Sequence, residues 1–402
     1  MNKFLITALI STAMLTAANA QNREINFKHD VPFKEVLAEA KKQNKLIFFD
    51  AYTSWCGPCK VMSNTVFKTD SVADFFNQTF VNLKVDMEKG EGPQLKDKFG
   101  VSAYPTLMFI DGGGNVVHKI VGSAPVGEFM AESRKALNPN TTVTGLAMKF
   151  NKGDHSKETA MAYMKALETA YEHVKLGEVA KVYFDAQPQE SLMESKNWEL
   201  ITRYLLDNSS TAFKYLFNRS NDLYALYGKG KVDSYFYKVF GTTTGALKKA
   251  YSTKNGIEEA EIKAKDMESL LANNPAYQNT LFSLHLVQFS SKGQWDQFCT
   301  LMDKTINQSD QLKINSQSIL WPAMEMVKNA PVAYCNNALK WADYYSKNTN
   351  DLFTQILVSD LRKMANRKLG KDKEAQAFAL SSESLRKEAA AKGTMTPPLM
   401  KE

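Results

Sequence analysis

Trp55-Cys56-Gly57-Pro58-Cys59 is the feature that most limits what this chain can become. It follows an apolar run, Leu46 to Tyr52, and precedes a stretch of helical character, Lys60-Val61-Met62. The first cysteine then falls at a helix N-terminus, where unpaired N–H groups and the helix dipole favour negative charge. Such a position lowers a thiol pKa from about 8.5 toward about 7 or below, so the nucleophilic thiolate exists at neutral pH. A sulfur with that task must also be reachable from the surface. The rival reading of the pair is half of a zinc site, which needs four ligands, commonly a second Cys or His pair. Cys299 and Cys335 are distant and not spaced as a pair, and His29, His118, His155, His173 and His285 are scattered. Dithiol redox chemistry is a better reading than zinc or an inert structural disulfide, and it calls for no metal and no cofactor.

Other residues fit around this corner. Asp50 lies in the apolar run, six residues before Cys56. A carboxylate there is expected to be buried, with a raised pKa, and able to relay a proton. Its plainer role is a cap or a solvated turn residue. Tyr104-Pro105-Thr106 leads into a second apolar run, Leu107 to Ile110. A proline at a strand start is ordinarily a trans edge residue. Asp111-Gly112-Gly113-Gly114-Asn115 then separates two apolar runs and predicts a hairpin turn. Those glycines lack the helix N-terminus that would hold a phosphate. Gly90-Glu91-Gly92-Pro93 reads as a loop, not a nucleotide motif.

Strand, Asp50, Trp-Cys-Gly-Pro-Cys-Lys, helix, strand from Phe80 to Asp86, helix, Tyr-Pro-Thr, hairpin and closing helix together resemble the thioredoxin family. The resemblance covers about Asn26 to Leu137, and its motif is highly specific. Within the family, Phe67 to Asp70 and Val81 to Asp86 look most similar to secreted bacterial thioredoxin-like domains and the thiol-carrying domain of transmembrane reductant conductors. The resemblance implies an α/β thioredoxin fold, a central mixed sheet flanked by helices. It implies that Cys56 attacks a target disulfide, that Cys59 resolves the mixed disulfide, and that Asp50 helps deprotonate Cys59. It implies a cis Pro105 facing the cysteine pair, which themselves form the redox disulfide. Trp55, Gly57, Pro58, Tyr104 and Thr106 would then form the surface that meets substrate. Tyr104 would offer its backbone to an extended peptide by strand addition.

The chain departs from the family pattern at some positions. Tyr52 stands where many thioredoxins have Trp. The lysine often found near the buried acid falls at Asn82, with Lys84 two residues on. Alternation puts those two on one face of a strand, so Lys84 can substitute.

Met1 to Ala20 has a basic start, an apolar core and an Ala18-Asn19-Ala20 exit, the pattern of a cleaved signal peptide rather than a membrane anchor. The protein is therefore expected to be exported, and periplasmic if the source is a Gram-negative bacterium. No other stretch approaches the roughly 20 apolar residues of a membrane helix. The formal net charge of +7 is modest for 402 residues, and removing Lys3 lowers it by one. Without a dense Arg/Lys run interleaved with aromatics, nucleic acid is not an expected partner. Four cysteines argue against a disulfide scaffold, and Cys299 and Cys335 are either a pair or free thiols.

The organisation expected is a signal peptide at 1–20, a thioredoxin-like domain at 21–140, an all-α helical-hairpin domain at 141–395 and a tail at 396–402. Asn138-Pro139-Asn140 punctuates the first boundary. Beyond it, helical spacing dominates. Ala160, Tyr163, Met164, Leu167, Ala170, Tyr171 and Val174 trace one apolar face, as do Trp198, Ile201, Tyr204 and Leu205, and Ile356, Leu357, Leu361 and Met364. Lys152-Gly153-Asp154, Lys292-Gly293-Gln294 and Gly370-Lys371-Asp372 read as turns of one style between helices. Residues Ala365 to Ala375 look like the turn of a tetratricopeptide repeat, without a clean period. Thr211 to Lys254 resists assignment, and Lys387 to Lys401 reads as a frayed, solvated tail.

The function expected is an exported thiol–disulfide oxidoreductase. The Gly-Pro dipeptide resembles reducing thioredoxins, with potentials near about −270 mV against about −120 mV for strong oxidants, and so favours a reductase. Its partners would be exported proteins with disulfides and a membrane electron donor. An oxidase or isomerase is the nearest alternative. A different class is a binding module, in which the helical region recruits a peptide or protein and the dithiol is auxiliary.

Overall fold

A computed structural model describes residues 23–308 and 314–399. The expected signal peptide lies outside the described residues. The chain divides into two compact units, Met1–Tyr183 and Phe184–Glu402.

The first unit is built on four strands: β1 (Ile47–Tyr52), β2 (Val81–Asp86), β3 (Thr106–Ile110) and β4 (Val116–Val121). Their order is β2-β1-β3-β4. β1 runs parallel to β2 and antiparallel to β3, and β3 is antiparallel to β4. The helices are α1 (Phe33–Gln43), α2 (Gly57–Asn64), α3 (Asp70–Thr79), α4 (Gly92–Phe99) and α5 (Val126–Lys135). This is the mixed, helix-flanked sheet expected. Gly92-Pro93, read as loop, instead opens α4, because a proline missing its N–H is tolerated in a first helical turn. The hairpin forms as expected, with the Asp111 carboxylate accepting from the N–H groups of Gly113 and Asn115.

Side-chain alternation makes two cores of one sheet. Phe48, Leu107, Phe109 and Ile120 face one side, against Phe76 of α3 and Phe129 of α5. Phe48 and Phe76 lie 4.5 Å apart between ring centroids, and Phe76 stacks on Phe129 at 5.0 Å. Ile47, Phe49, Ala51, Leu83, Met108 and Ile110 face the other side, against Phe33 and Val36 of α1 and Leu95 of α4. By the same parity Asp50 shares a face with Phe48, an acid on an apolar sheet face.

Three more helices group with this unit: α6 (Val143–Asn151), α7 (Lys157–Thr169) and α8 (His173–Asp185), the unit boundary falling within the last. Ala160, Tyr163, Met164, Leu167 and Ala170 are buried as their spacing predicts. Tyr171 and Val174, assigned to the same face, are 56% and 79% exposed. The reason is a helix stop. Tyr171 takes φ +61°, its N–H donates to the Glu168 carbonyl, and the N–H of Glu172 donates to that of Leu167. The chain turns there, and the helical register ends with it.

In the second unit every regular element of the described residues is helical. The Trp198 and Ile356 stripes are buried as read. The stretch that resisted assignment folds as helices Thr211–Asn218, Ser220–Tyr227 and Lys229–Thr253. Thr242, Thr243 and Thr244 fit inside the last because each hydroxyl donates to a carbonyl four residues back. Lys387 to Ala391, expected to fray, continues helix Asp372–Ala391, and beyond it Pro397 is buried, its carbonyl accepting from Arg386. Alanine-rich sequence and a fixed tail explain the difference. Cys299 and Cys335 are both free and buried. Burial pushes the Cys299 thiol up to about 11 and raises that of Cys335, so neither is an activated thiol.

Candidate active site

The site grows from the end of β1. Its last residues carry Asp50 inward, and the chain then turns through Thr53, whose carbonyl accepts from the Cys56 N–H at 3.2 Å. Cys56 is the N-cap of α2, and its sulfur accepts from the N–H of Cys59 at 3.1 Å. That bond places sulfur where the helix leaves donors unpaired, the position predicted to favour a thiolate. Cys56 and Cys59 are joined in a disulfide, with Cα atoms 5.3 Å apart. Pro58 lies in the first turn of α2, and it and Gly57 are exposed.

One expectation fails in this oxidised form. Cys56 is 3% exposed, as is Cys59. The sulfur, bonded to that of Cys59 and accepting from its N–H, lies beneath the surface, while Trp55 beside it is 64% exposed. Trp55 is held by two contacts. Its indole N–H donates to Glu88 Oε1 at 2.9 Å, and its ring meets that of Tyr104 edge-on at 5.9 Å. The second contact joins the cysteine loop to the Tyr104–Pro105 loop. The Tyr104–Pro105 bond is cis, as the family resemblance implied. Pro105 is buried, and its carbonyl accepts from Gly122. Thr106 is buried too, with its hydroxyl donating to the Ala103 carbonyl.

Asp50 is 1% exposed. Strand register sets it opposite Lys84, and Asp50 Oδ2 accepts from Lys84 Nζ at 2.9 Å. Asn82 is paired with Phe48 instead, so the lysine that serves this acid stands two residues along. Lys84 also donates to Ser63 and lies 4.7 Å from the centroid of the Tyr52 ring and 5.4 Å from that of Phe27. Burial raises the Asp50 carboxyl above the usual carboxylate range, against the opposing pull of Lys84 and His29. Its Oδ1 has no hydrogen-bond partner among the described residues. A carboxyl of raised proton affinity with one free oxygen can take up and release a proton. Glu88, Ser63 and Phe27 escaped the sequence reading. The parity of β2 pointed to Lys84, but no local pattern points to the other three.

The comparisons with known proteins fall on this same region. A family model described as Thioredox_DsbH, a protein of unknown function (DUF255), matches residues 20–115. Thioredoxin-T of Drosophila melanogaster is 36% identical over 95 residues, 24% of this chain, and the chain spans only 54% of its length. Thioredoxin H2 of Arabidopsis thaliana is 32% identical over 112 residues, 27% of this chain and 78% of that protein. Among solved structures, a candidate disulphide-isomerase from Bacteroides thetaiotaomicron is 48% identical, over 30% of this chain and 98% of that one, with a TM-score of 0.28. Because the 32% identity runs through most of a thioredoxin's length, and through the segment that here folds as the mixed sheet with the Cys56–Cys59 disulfide, the chain belongs to the thioredoxin family of thiol–disulfide oxidoreductases.

Proposed function

We propose that the protein is exported and reduces disulfides in exported proteins. The observation that carries the chemistry is the Cys56–Cys59 disulfide at the N-terminus of α2, on the sheet face that holds Asp50. In the reduced enzyme the Cys56 thiolate attacks a substrate disulfide. One new S–S bond forms, one substrate S–S bond breaks, and the leaving sulfur departs as a thiolate. Cys59 then loses its proton to Asp50 and attacks the Cys56 sulfur, which releases the second substrate thiol. Two electrons pass from the dithiol to the substrate, and the enzyme is left as the disulfide. Tyr104 and Pro105 flank an extended substrate, and Trp55 shields the cysteine surface. Reduction as the net direction is supported by the Gly57-Pro58 dipeptide. Export is supported by the signal-like sequence of Met1 to Ala20. In an oxidising compartment the cycle closes only if a membrane electron donor reduces the disulfide again.

The test is insulin reduction, read as turbidity with a reductant present. The mature wild-type chain should be active and Cys56→Ser inactive. A wild-type chain with no activity would sink the reading. Cys59→Ala should accumulate mixed disulfides through Cys56, and their composition names the substrates.

A further inference from the structure

The first unit contains a cleft whose walls include none of the redox residues. It encloses about 480 Å3 between the end of α4, the β3–β4 hairpin, β4 and helices α6 to α8. Its volume falls in the range of small-molecule sites, about 300–1,000 Å3. The floor is apolar, formed by Val116, Tyr163 and Leu167. Three lysines reach it, Lys98, Lys119 and Lys175, against a single carboxylate, Glu172.

Those four charges do not cancel. Lys119 pairs with Glu172. Lys175 pairs at 2.7 Å with Glu178, which is not part of the cleft wall. Lys98 has no ion-pair partner among the described residues. Its ammonium rests against the rings of Phe33 and Phe99, 5.0 and 5.2 Å from their centroids. A cation leaning on ring faces keeps its donors for another acceptor. The edge of the sheet adds polarity. Gly122 bonds Pro105, and Leu107 lies opposite Ile120, so parity turns the peptide groups of Lys119 away from β3 toward the outer edge of β4.

We infer that this cleft binds a small organic carboxylate with an apolar body. The lysines select the sign of the charge, and Lys98 supplies the uncommitted ammonium. The floor selects the body, because a bare inorganic anion leaves Val116, Tyr163 and Leu167 facing water. A cation would meet the unpaired charge of Lys98 and two further lysines against the one carboxylate of Glu172. The site is separate from the cysteine chemistry and holds whether or not the protein acts as a reductase.

The full-length protein is titrated calorimetrically with 2-naphthoate and with decanoate, with 2-naphthylmethylammonium as the charge-reversed control. Saturable binding at one site is expected for the carboxylates and none for the ammonium. Raising the ionic strength should weaken it. Lys98→Gln, at an exposed position, should weaken binding about tenfold, the loss expected for one charge-assisted contact. Its insulin reduction should stay unchanged, and its unfolding midpoint should fall only by the small amount that losing the two ring contacts of an exposed lysine brings. Val116→Phe, which fills the floor, should abolish binding, and if that variant does not fold, Lys98→Gln still decides. Failure of both carboxylates to bind at millimolar concentration overturns the inference. So does equal binding of the ammonium, or binding indifferent to Lys98→Gln.

Discussion

Asp50 is held between strands with burial opposing its charge more strongly than Lys84 supports it. Its proton affinity in the folded state exceeds that in the unfolded chain. Between the ordinary carboxylate pKa and the raised one, the folded protein binds the extra proton, so this residue's contribution to stability is full at low pH and is lost as pH rises through the raised value. Asp50→Asn should therefore raise the unfolding midpoint at pH 8 but hardly at a pH well below the ordinary carboxylate value of 3.8, where the carboxyl is neutral in both states. The same variant should slow insulin reduction on the order of tenfold to a hundredfold, because Cys59 loses its proton acceptor. Unchanged activity would remove Asp50 from the mechanism. Glu132 has the opposite sign. Burial alone would raise it, but His118, 3.8 Å away, and Lys135, at 2.7 Å, bring it from 4.5 down to about 2. Its contribution is present above the ordinary pKa and fades as pH falls from 4.5 toward 2. Glu132→Gln should cost about 1–2 kcal/mol at pH 7, since nearby water screens part of the effect, and nothing near pH 2. Equal losses at both pH values, measured by denaturant titration, would contradict this.

Three helices, α6, Gln278–Ser291 and Leu352–Lys368, end in the same way. At Gly153, Gly293 and Gly370 the φ angle is +96°, +69° and +72°. In each case the glycine N–H donates three residues back and the next N–H five back, as in Gly370 to Arg367 and Lys371 to Asn366. A Cβ in that region costs about 1–2 kcal/mol. Gly370→Ala should lower the unfolding free energy by about that much. Gly241→Ala, inside helix Lys229–Thr253 with nothing within 4 Å of a new Cβ, should raise it by up to about 1 kcal/mol. Shifts of the same sign would show that backbone conformation does not set these ends. The three glycine turns were legible in the sequence because glycine and the polar residues around it signal that geometry. Tyr171 makes the same turn without a glycine, so its apolar neighbours read as a continuing helix face. The cysteine corner, the hairpin and the partner of Asp50 were legible for a related reason: each follows from local chemistry or strand parity. Glu88 was not, because its bond to Trp55 spans 33 residues and depends on how two loops are folded together. Nor was the covered state of Cys56, which depends on the tertiary packing around the disulfide.

On the scale of the whole molecule, the first compact unit reaches Tyr183, and α6 to α8 are part of it. The Thr144 hydroxyl donates to the Val117 carbonyl at 3.3 Å, and Lys119 pairs with Glu172, so these helices cover the edge of β4. A fragment of residues 21–183 should accordingly unfold at a higher temperature than one of 21–140, with both reducing insulin. Equal midpoints would place the functional boundary at Asn140. Comparing proteins trapped by Cys59→Ala in the full chain and in the 21–183 fragment would show whether the helices beyond 184 choose the client. All of this depends on Cys56 in the reduced protein being an acidified thiol that a reagent can reach once its bond to Cys59 is open. The most direct measurement is the rate of Cys56 alkylation by iodoacetamide across pH, in reduced Cys59→Ala so that one site reacts. The account predicts a midpoint well below the ordinary thiol value of about 8.5. A midpoint at that value, or a folded protein whose Cys56 does not react at all, would contradict it.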